Sequence, residues 1–393
     1  MLNTHYQVYI KNNIFLKLLL GRKKFFLLRF LAILISWYCV GGIICFFDKT
    51  LTIQGKNVGY FEDITFWVLG LVQLVLVYSI SNILKKFETV MSQLPTLLTN
   101  DISENTKAEF EMFLHEELEK IRNYVAIKTP TSRRHYWICV AGWSILVYIF
   151  QIHIPIFFPQ EKVAWTISPT LYPRGYIFGL LWAIFVYVVV ASNTFWYGYS
   201  TTFKIFSFIR SFAKHNRLLI VPIAPDGKGG LEYLGSLSFA FTIASSSGML
   251  IVVSWILLYG LTPALLVSFC LYTIGLAIAF FLPLLSIHFA MKTAKKNELH
   301  RLSTIFRNSY SELHNSNVST NLLLSTNEPT MTHRIGFLAD IDQLYHGAEK
   351  MPVWPFNIET IIKFFTLIVI PILIAFGQIA TQNKLSAWLQ GLF

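Results

Sequence analysis

The sequence predicts an all-α fold: a polytopic integral membrane protein of about seven transmembrane helices, with helical extensions on the cytosolic side. Three observations predict it. Only 13% of the 393 residues are charged and 54% are hydrophobic, where a soluble domain carries about 25% charged residues. Seven apolar runs are each long enough to span a bilayer, which takes roughly 20 helical residues. Finally, 25 of the 32 lysines and arginines fall on alternate loops, as the positive-inside rule expects of cytosolic segments.

The elements follow in order. Residues 1–24 form an N-terminal amphipathic segment, with Tyr9, Ile10, Phe15, Leu18 and Leu19 beside Lys11, Lys17 and Arg22. That pattern suits a helix in the headgroup zone. The first two spans lie at 25–47 and 64–84, within 25–84. The first is long and shows no small-residue cleavage site, so it is expected to be a true span rather than a signal peptide. Residues 85–135 form a cytosolic acidic helical insertion. In it Phe110, Phe113, Leu114, Leu118, Ile121 and Val125 recur at helical spacing among Glu109, Glu111, Glu116, Glu117 and Glu119. Asp101, three residues before Glu104, resembles a capping signal. The stripe fits a helix packed on a neighbour; the acidic flank fits a surface for cations or a basic partner.

Residues 136–287 hold spans three to six, at 136–158, 176–199, 238–260 and 263–287. The run at 238–260 is the weakest, because Thr242, Ser245, Ser246, Ser247 and Ser254 interrupt it. After span four, Phe203, Phe206, Ile209 and Phe212 alternate with Lys204, Arg210 and Lys214, another headgroup-zone pattern. Residues 288–357 form a cytosolic helical hairpin. Span six runs on through Met291, Leu299, Leu302, Phe306 and Leu313, and Ile335, Leu338, Ile341, Leu344 and Tyr345 return. Residues 358–393 contain span seven, at 358–380, and an outer C-terminus. This count puts the N-terminus in the cytosol and the C-terminus outside. The outer loops carry no N-x-Ser/Thr acceptor, which is compatible with a bacterial inner (plasma) membrane.

The most distinctive motif is Pro225-Asp226-Gly227-Lys228-Gly229-Gly230-Leu231. One alternative is a tight turn that launches span five: proline fixes φ, aspartate bonds its own backbone, and glycine takes positive φ. Another is an anion nest, in which Gly227, Gly229 and Gly230 expose amides and Lys228 supplies charge for a phosphate or lipid head. Asp226 as a cation ligand is a third. The loop is not a Walker motif, since G-x-x-x-x-G-K-S/T is absent.

Three strings, PDGKGGLEYLG, the span ending FFLPLLSIHFAMKTAKKNEL, and MPVWPF before the last span, together resemble a group of uncharacterised bacterial polytopic membrane proteins. That group shares a PDGxGGL loop and a WPF-initiated last transmembrane helix. The resemblance covers about the C-terminal half and implies no activity and no functional residue. A His often precedes the Pro in that pattern; Ala224 stands here, which weakens a metal role for the loop.

Polar groups at membrane depth are the default functional candidates. Gln73, Asn193, Thr194 and His153 can cross-link helices, and Asn193 and Thr194, beside Ser192, can also line a polar path. Ser245 and Gly248, with Ala244, offer a close-packing seam. Pro283 and Pro371 are expected to kink their spans, and kinks can serve as gates. Trp354 and Pro355 suit an interfacial anchor at a helix start. Glu359 can pair with Lys363, which snorkels from inside the last span.

The net charge of +11 then calls for anionic lipids of the bilayer rather than nucleic acid. Cys39, Cys45, Cys139 and Cys270 lie in spans without metal spacing. No G-x-S-x-G, H-E-x-x-H or intramembrane carboxylate pair occurs, so no cofactor, metal or catalytic role is assigned. Two functions compete. One is a homo-oligomeric channel or pore controlled from the cytosolic side. The other is a non-conducting anchor or signalling scaffold that recruits a cytosolic protein partner. Lipid handling ranks third and an enzyme fourth.

Overall fold

A computed structural model describes Tyr9 and residues 13–20, 26–53, 57–97, 104–157, 164–166, 168–214, 231–259, 263–320, 328–356 and 358–390. Among them there is no strand, only an isolated bridge between Val58 and Ala164. The helices are α1 (Ile14–Leu20), α2 (Phe26–Phe47), α3 (Ile64–Gln93), α4 (Glu104–Val125), α5 (Pro130–Phe157) and α6 (Pro173–Ala183). A π-helical segment, Ile184–Ala191, joins α6 to α7 (Ser192–Lys214). Then come α8 (Glu232–Tyr259), α9 (Pro263–Thr320), α10 (Glu328–Glu349) and α11 (Ile358–Gln390).

Local chemistry sets several of the starts. Asn13 Oδ1 accepts from the amides of Phe15 and Leu16 and so opens α1. Asp63 opens α3 by accepting from Phe66 N–H at 3.1 Å, and proline stands in the first turn of α6. Among the described residues, five helices are long and apolar enough to cross a membrane: Leu27–Phe47, Ile64–Gln93, Pro173–Ser211, Glu232–Leu258 and Leu265–Leu282. The chain is therefore an all-helical, transmembrane-like protein compatible with multi-pass insertion. The other two expected spans fall in α5 and α11.

α8 is the central helix. It packs on α3 more extensively than any other pair packs, and it also touches α7, α9 and α11. Several of its buried hydroxyl groups bond back to their own helix, Thr242 to Ser238 O at 3.0 Å, Ser246 to Ile243 O at 2.9 Å and Ser254 to Ile251 O at 2.8 Å, while Ser238 donates across to Phe280 O of α9 at 3.3 Å. The span that hydropathy makes weakest is thus the one most enclosed by other helices, where small residues allow close approach.

The two ends of the bundle differ. At one end, Tyr38, Tyr60, Phe66, Trp67, Trp165 and Phe178 interlock, with Tyr60 Oη donating to Tyr38 O at 2.7 Å. At the other, which carries the lysine- and arginine-rich loops and is called the basic end below, the chain adds helices beyond the bundle. α4 packs on α7 and α5, burying Leu114, Leu118, Ile121 and Val125 while Phe113 stays exposed. Trp196 Nε1 donates to Val125 O at 3.4 Å and Lys204 Nζ lies 4.0 Å from the Tyr124 ring centre. α9 is continuous for 58 residues, about 87 Å at 1.5 Å per residue, so more than half of it extends past a hydrocarbon core of about 30 Å. α10 returns along it through Leu302, Ile341 and Ala348.

Candidate functional site: an intramembrane cavity between two anchored ends

A cavity of about 540 Å³ opens among α3, α5, the π segment, α7, α8 and α9. Three expected site residues meet there: Thr194 from α7, and Ser245 and Gly248 from α8. Tyr272 of α9 crosses to them, and its hydroxyl donates to the carbonyl of Ser245. A Cβ on Gly248 would sit 2.2 Å from that hydroxyl oxygen, so glycine is what lets the tyrosine approach. Tyr187 lines the same space from the π segment; single-turn π insertions recur at functional sites.

Gln73 and Asn193 go elsewhere. Gln73 is 0% exposed on α3, and neither its Oε1 nor its Nε2 has a hydrogen-bond partner among the described residues. Such an orphaned amide is costly in a low-dielectric interior. Asn193 instead centres a buried polar node at the basic end. Its Oδ1 accepts from Asn13 Nδ2 at 2.7 Å and from Tyr136 Oη at 3.3 Å, and its Nδ2 donates to Val189 O at 2.6 Å. The node ties the N-terminal helix to α5 and α7.

A second node sits on the same end. Glu88, 7% exposed, accepts from the Tyr9 hydroxyl and from Arg122 Nη2 at 3.3 Å; Arg122 Nη1 donates to Glu119 at 2.9 Å. Burial raises the Tyr9 phenol pKa well above its ordinary value, and the Glu88 charge adds to it. Burial works against the Arg122 charge, but Glu88 and Glu119 outweigh it and raise its pKa. Three separated segments are thereby joined: Tyr9, α3 and α4. Sequence reasoning missed this node. The available signal was a lone carboxylate at position 88 inside an apolar stripe at helical spacing, with Ile80, Leu84, Phe87 and Met91 around it.

The junction before α11 is built differently from a free interfacial belt. Trp354 is half-buried and stacks on His288 with centroids 4.3 Å apart. His288 Nδ1 bonds Val353 O at 2.9 Å, and since a carbonyl only accepts, that nitrogen carries the proton. Pro355 is buried, and its carbonyl lies so near α8 that a Cβ on Gly235 would be 2.1 Å from it. Lys295 Nζ donates to Met351 O at 3.0 Å and caps the end of α10 through Glu349 O. Glu359 and Lys363 pair on an exposed face of α11. The helices α9 and α11 continue through Pro283 and Pro371. Asp226, Gly227, Lys228, Gly229 and Gly230 lie outside the described residues, as does Asp101.

At the other end, Asp63 is fully buried, and burial pushes its carboxyl up to about 6 against the pull of the Phe66 and Thr65 amides. Among the described residues, no three His, Cys, Asp or Glu side chains converge as a metal site would need. No family model matches this chain, and neither does any curated protein or solved structure.

Proposed function

We propose that this chain is a seven-span, non-conducting membrane scaffold that presents its α9–α10 hairpin to a protein partner. The hairpin side is cytosolic by the positive-inside rule, with the N-terminus in, the C-terminus out, and an inner (plasma) membrane as the setting. One observation carries this proposal. Beyond the apolar window of α9, the hairpin leaves Phe306, Tyr310, Ile335, Phe337 and Leu344 exposed. Phe306 and Tyr310 stack on one face, 6.3 Å apart. Large apolar groups exposed outside the membrane, with Phe306 and Tyr310 side by side, favour a surface that another protein covers. The exposed acidic face of α4, with Met112 and Phe113 among Glu109, Glu111 and Glu116, adds a preference for a basic partner. The hairpin is also rigidly tied to the bundle through Lys295, His288 and Trp354, so a partner would be felt at α8 and α11.

An oligomeric channel is the second candidate, and the orphaned Gln73 amide is the observation on its side. Against it, the hydroxyls of Thr242, Ser246 and Ser254 on α8 bond their own helix, and the cavity is mostly apolar.

Two experiments separate the candidates. Purified chain in liposomes is expected to pass neither ions nor small solutes, and flux abolished by Gln73→Leu would establish the channel instead. Phe306→Asp with Phe337→Asp is expected to strip bound protein from the chain isolated from its own membrane, at unchanged expression. If native mass spectrometry gives the same assembly for both variant and parent, the scaffold proposal fails.

A further inference from the structure

We propose that the cavity is an acyl-chain site, filled from the side by one hydrocarbon tail of a bilayer phospholipid. Depth is the first reason. On α9 the lining runs from Ser268 to Ala279, inside the apolar window Leu265–Leu282. That is about 16 Å of helix, close to half of a hydrocarbon core of about 30 Å. A guest here sits among tails, below any headgroup.

Access is the second reason. Two lining residues, Phe195 and Leu271, are also 44% and 65% exposed. The neighbours of Leu271 on the outer face of α9 are the exposed aliphatics Val267, Ile274 and Ile278. The medium outside that opening is lipid. Water fits poorly, since a buried water needs two to four polar partners. Here most of the lining is apolar, and Thr194 Oγ1, Ser247 Oγ and Tyr272 Oη already give their hydrogens to Val190 O, Ala244 O and Ser245 O.

Shape is the third. Small residues on facing helices, Ala191, Ala244 and Gly275 among them, hold the space open. A Cβ added to Gly275 meets nothing within 4 Å. An unfilled void would forfeit dispersion contacts along its whole wall, and its volume falls in the range of about 300–1,000 Å³ typical of small-ligand sites. A mobile alkyl tail from the adjacent leaflet recovers those contacts along a wall that is mostly apolar.

The test uses the full chain in nanodiscs of phosphatidylcholine doped with a phosphatidylcholine that carries a diazirine midway along one acyl chain. Irradiation is expected to place adducts on α8 at Ala244–Gly248 as well as on lipid-facing Ile35 and Ile43 of α2. Gly275→Leu, which fills the opening, should reduce the α8 adducts several-fold and leave the α2 adducts unchanged; Gly275→Ala should leave both. Ser268→Leu, on the same wall, repeats the blocking test should Gly275→Leu lower the melting temperature. Adducts on α2 alone in the parent, or α8 adducts undiminished in both blocking variants, would overturn the assignment. A separate arm adds the diazirine as a free fatty acid to an unlabelled bilayer. Labelling of α8 by the free acid and not by the phospholipid would overturn the phospholipid as source. No partner is needed for this readout, so it stands or falls apart from the scaffold proposal.

Discussion

Two polar regions of this bundle handle the same problem in opposite ways. In α8, Thr242, Ser246 and Ser254 lie within the apolar core and give their hydroxyl hydrogens to carbonyls three or four residues back. At the basic end, Glu88 and Asn193 take partners from segments far along the chain: Tyr9 and Arg122 for the carboxylate, Asn13 and Tyr136 for the amide. The difference follows from side-chain chemistry. A serine or threonine hydroxyl has a single hydrogen, which a carbonyl of its own helix can take. A carboxylate carries a charge, and an amide four hydrogen-bonding positions, which one helix cannot satisfy. Hydroxyls of this kind can therefore sit within one helix in the core, whereas Glu88 and Asn193 join the elements around them. Here they fasten the N-terminal segment and α4 to the spans.

The largest break in this contrast is Arg122→Ala. It leaves Glu88 buried without its cation and should cost about 3–5 kcal/mol. Adding Glu88→Gln should recover part of the loss, and a double-mutant cycle of unfolding in detergent measures it.

Asp63 is an intermediate case, a buried carboxylate held only by backbone amides. Its folded pKa of about 6 lies above the ordinary value near 3.9. Its contribution is therefore fully present below pH 4 and is lost as pH rises through 6. Asp63→Asn keeps a capping acceptor and should flatten this dependence, gaining about 2–3 kcal/mol at pH 8 by the roughly 1.4 kcal/mol per pKa unit of linkage. Melting temperatures at pH 5 and pH 8 read it out.

Asn193→Leu should cost about 1–3 kcal/mol by removing the buried acceptor shared by Asn13 and Tyr136, and limited proteolysis should then cleave the N-terminal segment first. Thr242→Val, in α8, should change stability by about 0.5 kcal/mol or less, because the Ser238 carbonyl keeps its helical partner. A Thr242→Val loss equal to that of Asn193→Leu would erase the contrast.

Sequence patterning made the helical fold legible because apolar length and the stripe on α4 are local properties. The long continuation of α9 and its return on α10 were legible for the same reason. The central place of α8 was not, since serine lowers hydropathy whether a helix faces lipid or protein. The pairing of Gly248 with Tyr272 joins two helices that sequence spacing does not connect. Trp354 shows a further limit. A tryptophan before a helix looks the same whether it meets headgroups or, as here, stacks on His288. The glycine-rich string that stands out in the sequence, at 226–230, lies outside the described residues.

The central claim is that protein covers the exposed apolar face of the hairpin. Its most direct test is a photo-crosslinking amino acid at Phe306, irradiated in intact cells. The expected result is a discrete adduct with a second polypeptide, absent when the same group replaces lipid-facing Ile278. No polypeptide adduct at Phe306, with the chain present and folded in the membrane, would contradict it.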